Sequence, residues 1–184
     1  MSTVAQKLLT AEEFFLLPDP GGGRQQELVR GEVIVMPPPE GLHGATCVRT
    51  VHRLSNFVHA GPGGTLVCND TGFITERDPD SVRGPDISYW AKGRLAEIPV
   101  GYIEIPPDML VEVLSPSNTT KKILEKLREY FAKGVRLVWV ISPEDRTLTV
   151  YRQPDEGRLL HETAKATGED VLPGFECRVS DLLP

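Results

Sequence analysis

The feature that most constrains this chain is a carboxylate in apolar company. Glu112 stands inside Met109-Leu110-Val111-Glu112-Val113-Leu114, a run otherwise wholly apolar. Such a run reads as a strand buried on both faces of a sheet. An isolated ionised carboxylate there costs several kcal/mol or more, so Glu112 must be neutralised, paired with a cation or bound to a metal. Upstream, Gly84-Pro85-Asp86-Ile87-Ser88-Tyr89-Trp90 sets a second carboxylate directly after a proline, at the head of another apolar stretch. Two carboxylates on neighbouring strands would make a metal site.

The segment around Glu112 is the best-defined part of the pattern. The strand from Asp108 to Leu114 runs into Ser115-Pro116-Ser117-Asn118, whose small polar residues suit the cap of a helix from about Thr119 to Lys133, stopped at Gly134. A strand from Leu137 to Ile141 follows, so the unit is strand, helix, strand, the arrangement that gives parallel pairing through a crossover. Upstream, Thr10-Ala11-Glu12-Glu13 matches a capping box that opens a short helix through Leu17. Glu27-Leu28-Val29 and Val33-Ile34-Val35-Met36 flank Arg30-Gly31 as a hairpin. Val48, Val51, Leu54 and Val58 recur at helical spacing between His43 and Ala60. Strands are also expected at Thr65 to Cys68, Gly72 to Thr75, Asp86 to Trp90, Leu148 to Tyr151, Arg158 to Thr163 and Val171 to Val179. The pattern predicts one α/β domain over residues 1–184, a mixed β-sheet flanked by helices.

Several classes are disfavoured by composition. A net charge of −6 argues against a surface that blankets a polyanion by bulk electrostatics, although local basic patches can still hold a phosphate backbone. No stretch approaches the length of a membrane span, and no secretory signal pattern opens the sequence, so a cytoplasmic protein is expected. Cys47, Cys68 and Cys177 are far apart and odd in number, which suits reduced thiols better than a disulfide framework or a zinc knuckle. The one basic concentration, Lys121, Lys122, Lys126, Arg128, Lys133 and Arg136, is interspersed with Glu125 and Glu129 and reads foremost as a solvated helix face.

Lys126 lies at the border of that helix's apolar face, which comprises Ile123, Leu124, Leu127, Tyr130 and Phe131, and from there its stem can snorkel toward the sheet. The competing placement is a surface lysine paired with Glu125 or Glu129. Taken jointly, Asp86, Glu112, a backbone carbonyl and waters are the hard oxygen ligands magnesium prefers, and a nearby ammonium would stabilise charge developing on a phosphodiester. Glu27 is a possible upstream acid, but a charged residue beside a hairpin turn is more often solvated. His43, at the start of the second helix, is a candidate for phosphate contact or proton transfer, against the plainer reading of a helix-start histidine. His52 and His59 read as surface residues, and Trp90, Trp139, Tyr130 and Tyr151 as packing.

An ordered set of short motifs runs along nearly the whole chain: Leu9-Thr10-Ala11-Glu12-Glu13-Phe14, Glu27-Leu28-Val29-Arg30-Gly31-Glu32, His43-Gly44, Pro85-Asp86-Ile87-Ser88, Val111-Glu112-Val113-Leu114-Ser115-Pro116-Ser117, Glu125-Lys126-Leu127-Arg128-Glu129-Tyr130 and Val171-Leu172-Pro173-Gly174-Phe175. In this set the chain resembles the PD-(D/E)XK nuclease-like superfamily, in its branch of bacterial "putative restriction endonucleases". The resemblance implies a restriction-endonuclease-like fold and hydrolysis of DNA phosphodiester bonds with magnesium or manganese. It assigns Asp86 and Glu112 as metal ligands and catalytic residues, Val113 as a carbonyl ligand and Lys126 as the catalytic lysine. The chain departs from the superfamily pattern at Leu114, where a lysine is expected two residues after the acid; a lysine presented from the next helix, Lys126, can fill the same space. It departs again at Lys122, where relatives carry an acid. DNA is the expected partner, and a homodimer would suit cleavage of both strands. The alternative is a catalytically degenerate module of the same fold that binds nucleic acid or a protein. A two-carboxylate glycoside hydrolase finds no aromatic sugar platform in the sequence.

Overall fold

The computed structural model describes residues 7–116 and 118–184; Ser117 of the expected capping segment and the first six residues lie outside them. The chain opens with helix α1 (Ala11–Phe15), then the hairpin β1 (Gln25–Val29) and β2 (Glu32–Met36), then the long helix α2 (Gly41–Ala60). Strands β3 (Thr65–Cys68), β4 (Phe73–Glu76), β5 (Ser81–Arg83), β6 (Ile87–Trp90) and β7 (Met109–Val113) lead to α3 (Thr120–Lys133). The remainder is β8 (Leu137–Ser142), β9 (Thr147–Gln153), β10 (Glu156–His161), β11 (Lys165–Gly168), β12 (Leu172–Arg178) and a closing 3-10 turn, Val179–Leu182.

The larger sheet has six strands in the order β10-β9-β8-β7-β6-β3. Its β7–β8 pair is parallel and joined through α3, as the strand-helix-strand pattern predicts, while the neighbouring pairs are antiparallel. The sheet is therefore mixed. Every residue of β7 is buried. Met109, Val111 and Val113 pack on one side with Leu54 and Val58 of α2, and Leu110 packs on the other with Ile123, Leu127 and Tyr130 of α3. Side chains alternate across a strand, so Glu112 shares the α3 side with Leu110. Full burial of each such leucine, isoleucine or methionine contributes about 1.5–3 kcal/mol, which holds α3 against the sheet.

A second sheet, β2-β1-β5-β4, supplies the rest of the site's framework. Its strand β5 was not foreseen in the sequence. Three residues are too few for an alternating pattern, and Arg77-Asp78-Pro79-Asp80 before them reads as a polar loop. The four-residue strand β11 also lies outside the expected strands. In α2 the buried stripe is Thr46, Thr50, Leu54 and Val58, spaced four apart, and Val48 is exposed. The expected stripe therefore holds for Leu54 and Val58, with Val51 partly buried against the same core, and fails at Val48, which lies two residues beyond Thr46 and points about 200° away from it.

Candidate active site

Asp86 and Glu112 meet because of the β6–β7 register. The strands pair antiparallel with Ile87 opposite Val111, and continuing that register by one residue sets Asp86 across from Glu112. One residue further, Pro85 falls opposite Val113 and has no N–H to offer the Val113 carbonyl. The Val113 N–H donates to Asp86 Oδ2 at 2.6 Å, which fixes that carboxylate at the strand head. Asp86 Oδ1 faces the other way, 3.0 Å from His43 Nε2 on α2. It also accepts from the Cys47 thiol at 3.7 Å, and Cys47 Sγ lies 3.6 Å from His43 Nδ1. His43 and Cys47 are four residues apart, so both project from one face of α2 toward Asp86.

Glu112 is buried and held by α3. Both of its oxygens accept from Lys126 Nζ at 3.2 Å, and Oε1 also accepts from the Tyr130 hydroxyl. Lys126 and Tyr130 lie one helical turn apart, and the same turn carries Glu129. The ammonium of Lys126 is shared with Glu27 Oε1 at 2.9 Å. Glu27 Oε2 accepts from Arg83 Nη1 at 2.9 Å, and Gly84 N–H donates to Oε1 at 3.3 Å. Arg83 in turn donates to Glu129 through Nε at 2.7 Å. The result is a continuous chain of largely enclosed charges, Glu129–Arg83–Glu27–Lys126–Glu112, crossing from α3 through β5 and β1, back to α3 and on to β7.

These placements settle the competing readings of individual residues. Lys126 does not pair with Glu125 or Glu129 at the surface; it turns inward to Glu112 and Glu27, leaving its side chain 12% exposed. Glu27 is not solvated beside its hairpin turn but 3% exposed, because β1 is an inner strand and its neighbour β5 brings Arg83 against it. Without β5 that partner is invisible in sequence. His43 sits within α2 and is engaged by Asp86. Tyr130, read as packing alone, contributes its hydroxyl to Glu112 as well as its ring to the core. Lys121, Lys122 and Arg128 remain on the exposed face of α3, with Lys121 near Glu125 at 3.9 Å and Arg128 bonded to Asp155 at 3.3 Å.

Asp70 is a third acid, one that no sequence pattern marks. It lines one pocket of about 130 Å³ together with Asp86, Glu112, His43, Lys126 and Val113. Asn69 and Asp70 both adopt left-handed backbone, φ 64° and 54°, which turns the chain sharply after β3 and aims the carboxylate inward, where Gln25 donates to it. Gly84 makes the approach possible, since a Cβ there would stand 2.7 Å from the Asp70 carbonyl oxygen. The sequence signals for these residues were short-range: Arg83 three before Asp86, Tyr130 four after Lys126, and Cys47 four after His43.

The electrostatics of the pocket follow from burial. Burial pushes Glu112 up to about 7, opposed by Lys126 and reinforced by Asp86 and Glu27. Asp70 rises to about 6 by burial and by the charge of Asp86. Burial likewise works against ionised Glu27, but Lys126 and Arg83 outweigh it and hold its carboxyl below the usual range. Burial disfavours the Lys126 ammonium too, yet Glu112 and Glu27 win and raise its pKa, so the lysine stays protonated. His43 is raised by its hydrogen bond to Asp86. The pocket thus holds more carboxylate than its lysine can neutralise. A hard divalent cation fits that donor set: carboxylates from Asp86, Glu112 and Asp70 are oxygen ligands, and the raised values of Glu112 and Asp70 mark a deficit of positive charge.

The fold and this centre define a class, a nuclease-like α/β protein. Among solved structures, the chain is similar to "a putative nuclease" from Anabaena variabilis ATCC 29413, with TM-score 0.77 and 24% identity over 95% of this chain and 97% of that one, a likeness of fold. Residues 11–180 match the Uma2 family model, described as "Putative restriction endonuclease", and the chain belongs to that family. No curated protein matches it. Among the described residues no helix is long and apolar enough to cross a membrane.

Proposed function

We propose that this protein is a metal-dependent endonuclease that hydrolyses DNA phosphodiester bonds at the Asp86–Glu112–Lys126 centre. The observation that carries the reading is the junction itself: two buried carboxylates opposed across β6 and β7, with the Lys126 ammonium delivered from α3 against Glu112 and Glu27. Magnesium or manganese would be held by Asp86 and Glu112, with Asp70 and the Val113 carbonyl beside them, and would supply Lewis-acid activation of the phosphoryl group and of water. Asp86 is oriented for ligation by Val113 N–H, and its other oxygen is steadied by His43. Glu112 is oriented by Tyr130. Lys126, kept as an ammonium by Glu27 and Glu112, is suited to place the attacking water and stabilise negative charge on the phosphoryl oxygens, and unsuited to remove a proton. Glu27 and Arg83 hold the lysine rather than touch substrate. The exposed Lys121, Lys122 and Arg128 would meet the DNA backbone. The reading includes a cytoplasmic location and a two-fold dimer acting on both strands.

Purified protein incubated with supercoiled plasmid in magnesium, in manganese and in chelator tests this directly. Cleavage with metal, absent in chelator and abolished in both Glu112→Gln and Asp86→Asn with the fold retained, is the expected result. A wild-type protein inert on plasmid and on single-stranded DNA would instead make the site a structural relic on a binding module. Full activity in either variant would remove the acids from the mechanism.

A further inference from the structure

In the nuclease reading the His43 side of Asp86 serves only to steady the carboxylate. Its Oδ1 is turned away from Val113 toward α2, into a second group of donors: an imidazole nitrogen of His43, the Sγ of Cys47 and a carboxylate oxygen of Asp86 all lie within 4.8 Å of one another. His43 Nε2 lies 3.0 Å from Asp86 Oδ1, the other ring nitrogen, Nδ1, lies 3.6 Å from Cys47 Sγ, and Cys47 Sγ lies 3.7 Å from Asp86 Oδ1. Tetrahedral zinc with ordinary bond lengths sets its nitrogen, oxygen and sulfur ligands about 3.3–3.5 Å apart. Cys47 and Asp86 are near that spacing, and one His43 nitrogen lies within 4.8 Å of both, so a small turn of the ring completes the set. We propose that His43, Cys47 and Asp86 form a separate site for a thiophilic divalent cation of the zinc class, distinct from the hard-oxygen centre and sharing only Asp86 with it.

Three further observations support the site. His43 and Cys47 project from adjacent turns of one helix, so α2 presents both without loop rearrangement. Asp86 is held from behind by Val113 N–H, the kind of outer hydrogen bond that fixes a metal-binding carboxylate. A cavity of about 550 Å³ lined by His43, Cys47, Asp70 and Asp86 opens on the same side and leaves room for a water as fourth ligand. The donor set is soft where the Asp86–Glu112 centre is hard. Thiolate and imidazole select zinc, cobalt and their like over magnesium. On binding, Cys47 gives up its thiol proton to solvent, His43 binds as neutral imidazole, and its hydrogen bond to Asp86 is replaced by two bonds to the cation; no electron is transferred. Where the nuclease reading also holds, on which this consequence rests, occupation draws Asp86 Oδ1 toward α2 and zinc opposes magnesium-supported cleavage.

Cobalt(II) titration of the full-length protein, reduced with a non-coordinating phosphine, provides a readout that does not depend on cleavage. The expected result is near-stoichiometric binding with a thiolate-to-cobalt charge-transfer band and the intense visible bands of a four-coordinate ion, both discharged by one equivalent of zinc. The charge-transfer band should vanish in Cys47→Ser, weaken at least tenfold in apparent affinity in His43→Ala, and persist in Cys177→Ser and in Glu112→Gln. Circular dichroism confirms that each variant is folded. Absence of the band in wild type, its survival in Cys47→Ser, or its loss in Cys68→Ser alone would each overturn the site. Persistence of the band in a protein that cleaves no DNA would defeat the nuclease reading and leave this one standing. Where cleavage is present, zinc should inhibit wild type at concentrations at least tenfold below those needed for Cys47→Ser.

Discussion

At the scale of single residues, the centre depends on one cation between two acids. Lys126→Met would leave Glu27 and Glu112 buried with a partner removed from each, and breaking such a pair costs about 3–5 kcal/mol. Urea unfolding at pH 8 should show that loss, and a value below about 1 kcal/mol would mean that the lysine is not the site's main neutralising charge. Glu112 carries a pH signature of opposite sign to that of its neighbour. Its folded pKa lies above the ordinary 4.5, so the native state holds the proton longer than the unfolded chain, and the associated stability is lost as pH rises from about 4.5 to about 7. Glu27, held below its ordinary value, stabilises the fold above about pH 4.5, and its contribution is lost as pH falls through its lowered folded pKa. Glu112→Gln, which keeps an acceptor for Lys126 and Tyr130, should therefore raise the melting temperature of metal-free protein more at pH 8 than at pH 5. Equal shifts at the two pH values would contradict the raised pKa. Glu112 stands out in sequence as a carboxylate in an apolar run, whereas Lys126 at the edge of an apolar helix face reads first as a surface lysine, and only the fold turns it inward to Glu112 and Glu27. Arg83, Asp70 and Cys47 do not stand out, since each looks ordinary until the tertiary fold sets it beside a distant partner.

At the scale of elements, α3 is the part that delivers chemistry, and its ends are well fixed. The Thr119 hydroxyl accepts from Lys122 N–H at 3.3 Å, and Gly134, at φ 107°, closes the helix with its N–H on the carbonyls of Tyr130 and Phe131. Gly134→Ala forces a side chain into left-handed backbone and should cost about 1 kcal/mol in chemical denaturation, as should Thr119→Ala by loss of its cap. The turn formed by Asn69, Asp70 and Gly84 is the less forgiving element. A methyl at Gly84 collides with the Asp70 backbone rather than with a movable side-chain end, so Gly84→Ala should displace Asp70 and slow cleavage about tenfold to a hundredfold with little change in secondary structure. An unchanged rate would exclude Asp70 from the centre. The same elements show where sequence patterns carry far and where they stop. The β7–α3–β8 unit is long, periodic and capped, so its form was readable. β5 is three residues long, and α2 buries two threonines where apolar residues were sought, because a helix face is set by spacing and only then by composition.

At the scale of the whole molecule, the surplus of buried acid makes the fold itself a reporter of metal. A cation that binds the native state at one hundred times its dissociation constant adds about 2.7 kcal/mol of stability, which for a chain of this size corresponds to roughly 5–10 °C in melting temperature. Magnesium or manganese should produce such a shift in wild type and not in Asp86→Asn; a shift of the same size in both would place the cation elsewhere. The six-stranded and four-stranded sheets meet at this centre through a very short piece of chain. Arg83 ends β5 in the smaller sheet, and three residues later Asp86 heads β6 in the larger one. Mechanically, residues 84–86 act as a rivet and not a hinge: swinging the sheets apart would strip Arg83 from Glu129 and Lys126 from Glu27, all of them largely enclosed. A centre riveted in this way behaves as an anvil. It does not close around a duplex, so on the nuclease reading the work of deformation falls to the DNA, and flexible steps, bulges and frayed ends should be cut before stiff, continuous helix.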